Sequence, residues 1–380
     1  MTLDVTFVGA DVLTPEGWSD APLSVSGGQI VEASGRQVPL PGFRILPGIV
    51  DLHGDGFERH LAPRRGLVRD MTEGFLSLDA ELAASGVTTA VLAQFWSWEG
   101  GMRDPAFARR VAEALAAARP KCLTDLRLQL RLEVHMIDTY DEAFDFVVEQ
   151  GIDYVVLNDH LPHAELAAGK TPPRLTGQAL KAGRNPQKHL AMMQDLAARR
   201  GEMPEALARL TSRLRGQGVT LGSHDDRDPE DRARLRALGV TVAEFPETMA
   251  AVEAAHEAGD PVLLGAPNVV RGNSHNGNLT AEDAVRAGLC DALVSDYHYP
   301  SLLGAMRRLG ETPETLAAAW PLVSSRPAQV LGWTDRGGLT LGKRADLVIL
   351  DPDGRLGATI CGGQVSLLRG ATASAVLAAL

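Results

Sequence analysis

Residues 46–60 read LPGIVDLHGDGFERH, and the rest of the chain is best read outward from this stretch. An apolar run, Ile45 to Leu52, is interrupted by Pro47 and Gly48. It then delivers His53, Asp55, Glu58 and His60 in quick succession. Imidazole and carboxylate groups at the end of a buried strand are costly unless something satisfies them. A divalent ion does so economically, because neutral imidazole nitrogen and carboxylate oxygen are its ordinary ligands. His53 and Asp55 are two residues apart, so on an extended strand both point to one side. A surface turn after a strand is the plainer alternative for this stretch taken alone.

Outward from it, apolar β-branched runs recur at Val87–Ala93, Leu126–Val134, Tyr154–Leu157, Val219–Leu221, Val240–Phe245, Val262–Gly265 and Ala292–Ser295. Most are followed by Ala- and Leu-rich stretches with helical spacing, among them Pro105–Ala118, Asp228–Leu238, Glu247–Ala258 and Ala281–Gly288. Asp104 and Asp228 each precede a proline and read as N-caps. Apolar strands alternating with amphipathic helices imply a parallel sheet covered on both faces. Eight such strands fit an α/β fold of the (β/α)8 barrel type, residues 46–334, with a doubly wound sheet as the alternative. A helical insertion, about 163–216, breaks the alternation. It is locally basic and reads either as a solvated face or as a lid over the C-terminal end of the barrel.

The two chain ends are different. Residues 1–45 and 335–380 are short strands and turns without helical period, and they predict one small β-sandwich domain assembled from both ends. Two separate decorations would fit the same pattern.

The bulk numbers exclude several classes. A net charge of −11 argues against a nucleic-acid surface. Three widely spaced cysteines without a CxxC pair suggest neither a disulfide framework nor a zinc ribbon. No apolar run approaches membrane-spanning length and no secretory signal opens the chain, so a cytoplasmic enzyme with neither membrane nor nucleic-acid partner is expected. A homo-oligomer stays open.

The polar groups at the strand ends carry the chemistry. The first strand delivers His53 and Asp55, and the third carries Glu133 between Leu132 and Val134. The fourth ends in Asn158, Asp159 and His160, the fifth in Ser223, His224, Asp225 and Asp226, and the last in Asp296. Any one of these has a structural explanation. Together, at one barrel mouth, they would repel and desolvate one another without cations between them. His53, Asp55, Glu133, His160, His224 and Asp296 are therefore the expected ligands of two divalent ions, zinc first, with manganese or iron as alternatives. Glu133 is the expected bridge, and Asp296 the group that orients and deprotonates water.

With LPGIVDLH, ASGVTTAVLA, the SHDD and SDY strand ends and the closing GGLTLGKRADLVILD, the chain resembles the amidohydrolase superfamily over nearly its whole length. That resemblance implies a metal-dependent barrel with a β-sandwich from both ends. PGIVDLHGDGFERHLAPR, LGSHDD, AEFPET, LLGAPNVVRGNSHNGN and SDYHYPSLL are more specific. They resemble a phosphonate-degrading triphosphate diphosphatase branch, in which His-x-Asp replaces the commoner His-x-His after the first strand. Gly54, Gly56, Asn273, Asn276 and Leu161-Pro162-His163 depart from that branch in its loops. The branch implies hydrolysis of a ribosyl methylphosphonate triphosphate with release of pyrophosphate. Arg59, Lys170, Arg271, Ser274 and His275 are candidate contacts to a phosphorylated small molecule, because arginine and Gly-rich backbone suit phosphate oxygens. Two other readings compete: a C–N bond hydrolase (deacetylase, deaminase or cyclic amidase) acting on a phosphorylated substrate, and a binding protein that has kept only the fold.

Overall fold

A computed structural model describes residues 2–62, 70–272 and 280–379. Eight parallel strands form one sheet. In chain order they are β1 (Ile49–Gly54), β2 (Val87–Trp96), β3 (Asp125–Glu133), β4 (Tyr154–Asn158), β5 (Thr220–His224), β6 (Val242–Glu244), β7 (Val262–Gly265) and β8 (Ala292–Val294). Each neighbours the next, and a parallel bridge from Gly54 to Asp296 links the two outermost, giving a nearly closed barrel. The expected barrel is thus present. The strands are buried along most of their length, as a parallel sheet covered on both faces requires.

The helices start where the sequence signals say. Asp104 accepts from Phe107 N–H at 2.7 Å before the helix Pro105–Ala118. Asp228 accepts from Asp231 N–H at 2.8 Å before Pro229–Ala237. In both, proline occupies the first turn, where its missing N–H costs nothing.

The apolar run at Ile45–Leu52 does not form one strand. Arg44–Pro47 pairs antiparallel with Leu347–Leu350 in a sheet of the chain ends, and β1 begins at Ile49. Pro47 and Gly48 explain the change of partner. Proline has no N–H to continue a ladder, and the Gly48 N–H leaves the strand line to meet Asp346 O at 2.8 Å.

By internal packing the chain falls into two compact units. The first comprises Met1–Leu92, Leu115–Arg127 and Leu263–Leu380. It contains a four-stranded sheet and a six-stranded sheet, and the six-stranded one takes strands from both chain ends. Val5, Phe7, Val25 and Val38 from one sheet and Val12, Ile45, Leu347 and Ile349 from the other share one buried cluster, as in a sandwich.

The second unit comprises Ala93–Ala114 and Leu128–Val262. It holds the insertion, which is helical throughout: His163–Ala167, Leu175–Lys181, Pro186–Ala198 and Met203–Gly216. Leu175 and Met193 of these helices pack with Trp98 and Leu161 in a small core. Among the described residues no helix is long and apolar enough to cross a membrane.

Candidate metal centre

In the first unit the expected residues of β1 and β8 come together. Asp296 N–H donates to His53 O at 2.9 Å, and Asp55 N–H donates to Asp296 O at 2.9 Å. Below them Asp51, fully buried, accepts from Ser295 N–H at 2.9 Å and Ser295 Oγ at 2.6 Å. Burial lifts the Asp51 carboxyl above its ordinary pKa, against the opposing pull of those donors. Asp51 thus ties β1 to the end of β8, which fixes where His53 and Asp296 sit. Sequence reading passed over this role, because an aspartate inside an apolar run shows its partner only once the sheet closes.

Arg59 and Arg271 meet at the residue after Asp296. Arg59 Nη1 donates to Tyr297 O at 2.8 Å, and Arg271 Nη2 donates to the Tyr297 hydroxyl. Arg59 also pairs with Glu81. Both guanidiniums are exposed. Ser274 and His275 lie outside the described residues, as do Arg64 and Arg65.

In the second unit Glu133, His160 and His224 come together. Glu133 is fully buried. Its Oε2 accepts from Trp98 Nε1 at 3.1 Å and from His160 N–H at 3.2 Å, and its Oε1 meets His160 Nδ1. Glu99, Glu133 and His160 can each offer a donor atom within 4.8 Å of the others, a spacing a cation can draw together. Burial pulls the His160 pKa down, but the hydrogen bond and charge of Glu133 outweigh it and hold the ring above the ordinary histidine value. The His160 and His224 rings are 6.5 Å apart in an edge-on arrangement. His224 Nδ1 lies 2.9 Å from Asp225 Oδ2. Burial would raise the Asp225 carboxyl, yet His224 holds it below its usual range. Lys170 is exposed on the insertion and is not gathered with these residues.

Two further groups face the interior and were missed. Gln129, Arg131 and Glu133 alternate with leucines along β3, so all three point to one side. Gln129 Nε2 donates to Glu244 Oε1 at 2.8 Å, and the Tyr154 hydroxyl donates to the same oxygen at 2.7 Å. Arg131 Nε donates to Asn158 Oδ1 at 3.2 Å, and its Nη2 donates to His224 Nε2 at 2.9 Å. The guanidinium stacks 4.1 Å from the Phe95 ring centroid. The alternation Gln-Leu-Arg-Leu-Glu was the available signal: polar residues at period two inside a strand bounded by apolar neighbours mark a polar interior face.

The backbone points to the same places. Among the described residues the non-glycine positions with positive φ are Asp225 (61°), Phe245 (52°) and Asp296 (54°). Asp225 and Phe245 each directly follow a barrel strand, and Asp296 follows β8 after one residue. Such conformations cost about 1–3 kcal/mol each and collect at functional sites.

Within the second unit, Glu99, Glu133 and His160 offer nitrogen and oxygen donors and no thiolate, and Glu133 is fully buried, a set that suits a divalent cation.

No family model matches the chain. The chain is 34% identical over 345 residues to alpha-D-ribose 1-methylphosphonate 5-triphosphate diphosphatase of Escherichia coli (strain K12), covering 86% of this chain and 90% of that protein. Among solved structures, beta-aspartyl dipeptidase from Fervidobacterium islandicum AW-1 superposes with a TM-score of 0.62 at 13% identity, covering 97% of this chain and 98% of that one. Atrazine chlorohydrolase from Arthrobacter aurescens TC1, in complex with zinc, gives 0.58 at 14% identity, covering 98% of each chain. At these identities the two structures speak for the fold, an amidohydrolase-type barrel. With this likeness along most of its length, the chain belongs to the alpha-D-ribose 1-methylphosphonate 5-triphosphate diphosphatase family.

Proposed function

We propose that this protein is a metal-dependent hydrolase that cleaves a phosphoanhydride of alpha-D-ribose 1-methylphosphonate 5-triphosphate, releasing pyrophosphate during phosphonate breakdown. The family supports the substrate's identity. The observation that carries the substrate class is the pair of guanidiniums, Arg59 and Arg271, anchored on the residue that follows Asp296. Arginine offers planar, bidentate contact to phosphate oxygens, and a triphosphate needs several such contacts.

In a (β/α)8 barrel the residues beyond the strand C-termini build the site. His53, Asp55, Glu133, His160, His224 and Asp296 would hold two divalent ions, zinc in the first place and manganese or iron as alternatives. When bound, such ions bring the pKa of water near neutrality and neutralise phosphate oxygens. Asp296 accepts the proton of the attacking water. The new bond joins water oxygen to the α-phosphorus, and the bond from that phosphorus to the bridging oxygen breaks. Arg271 and Arg59, with Ser274 and His275, hold the departing pyrophosphate. The insertion, with Lys170, serves as a lid that limits water once the substrate is seated.

The test is a product assay with zinc-loaded protein. Pyrophosphate from the ribosyl triphosphate, with no ammonia or carboxylate released from phosphorylated amides, is the expected result. The reverse pattern would assign the site to C–N bond hydrolysis. Binding of the triphosphate without turnover would reduce the protein to a binding module.

A further inference from the structure

A second set of nitrogen and oxygen donors lies in the unit that contains Glu133 and His160, on different residues. His135 follows β3 by two positions, Asp159 directly follows β4, and His163 opens the first helix of the insertion. One donor atom from each can be chosen so that all three lie within 4.8 Å of one another. His163 Nε2 is 2.9 Å from each Asp159 oxygen, and His135 Nε2 is 3.3 Å from Asp159 Oδ1. The two imidazole rings are 5.2 Å apart. Ligand bonds of about 2.0–2.2 Å in a tetrahedral zinc site set neighbouring donors about 3.3–3.5 Å apart, so small side-chain shifts would complete the geometry.

His135 is the residue that asks for a ligand. Its side chain is only 2% exposed; its Nδ1 has no hydrogen-bond partner, and its Nε2 has the 3.3 Å approach to Asp159 Oδ1. An unsatisfied buried polar group costs about 1–3 kcal/mol. Asp159 and His163 are partly open and line a cavity of about 380 Å³, shared with Asp225, Arg227 and Glu247, so an ion has a route in. Asp159 and His160 are consecutive and engage different partners. His160 faces Glu133, while Asp159 faces His135 and His163.

We propose that His135, Asp159 and His163 form a separate site for a divalent cation of the zinc class, with its remaining position open to the cavity. The ion joins the ends of β3 and β4 to the start of the insertion and so fixes how that helical segment leaves the barrel. None of its three ligands is among the six residues expected to hold the hydrolytic ions, so it stands or falls independently of the hydrolytic site.

The experiment is zinc stoichiometry on chelator-stripped, reloaded full-length protein, by elemental analysis after removal of free metal. Wild type is expected to retain one equivalent more than His163→Asn and one more than Asp159→Asn. Glu133→Gln is expected to keep this equivalent while losing others. Cobalt loading should show a visible band that His163→Asn specifically loses. Both test side chains are partly exposed, and circular dichroism of the stripped proteins checks that the variants fold alike. Equal zinc content in wild type and both folded variants would overturn the proposal, as would a cobalt spectrum unchanged by His163→Asn.

Discussion

Glu133 shows how closely one residue can be held. Both of its oxygens are engaged, by the Trp98 indole and by the backbone and ring of His160, in a fully buried setting. Glutamine keeps the shape but removes the charge that a cation would need. Even the outer partners of metal ligands are worth about 10–100-fold, so Glu133→Gln should lower pyrophosphate release by more than about 100-fold and reduce bound zinc on elemental analysis. Gly54 is held for a different reason. A Cβ there would come within 2.6 Å of the Tyr299 ring and 2.9 Å of Ser295 Oγ, both buried. Gly54→Ala should therefore cost about 1–3 kcal/mol in denaturant unfolding, the usual range for overpacking.

At the scale of elements, β3 begins and ends in ionic contacts. Asp125, at its start, pairs with the almost fully buried Arg336 at 2.6 Å, and Arg336 also donates to Thr89 Oγ1 at 2.9 Å. Burial raises the Asp125 carboxyl, but Arg127 and Arg336 outweigh it and hold its pKa below the ordinary 3.8. A carboxylate depressed in the folded state stabilises fully above its unfolded pKa and loses that contribution as pH falls through the folded value. Asp125→Asn should therefore cost about 2 kcal/mol near neutral pH, less than a fully buried pair because Asp125 keeps some solvent. Unfolding curves for wild type and variant should converge only below about pH 4. The strands, their helices and the polar strand ends were legible in the sequence because each is a local pattern of period, cap or terminus. Arg131 and Glu244 were not. Glu244 ends a three-residue strand, and its partners Tyr154 and Gln129 lie 90 and 115 residues away. Only closure of the sheet reveals such pairs. The split at Gly48 was missed for a related reason: the partner of Arg44–Pro47 comes from the far end of the chain.

At the scale of the whole molecule, the proposed function gives an acidic protein an anionic substrate. The net charge of −11 is offset locally, where Arg59 and Arg271 bond to Tyr297, the residue after Asp296, and where cations would neutralise the strand-end carboxylates. Ions bound only by the folded chain stabilise it by mass action, so chelation should lower the melting temperature and zinc should restore it. The most direct measurement is phosphorus NMR of alpha-D-ribose 1-methylphosphonate 5-triphosphate incubated with the zinc-reconstituted protein, before and after chelation. One pyrophosphate and one 5-phosphate per substrate, abolished by chelation and recovered with zinc, is the predicted result. Orthophosphate as the first product, or pyrophosphate release that persists after complete metal removal, would contradict it.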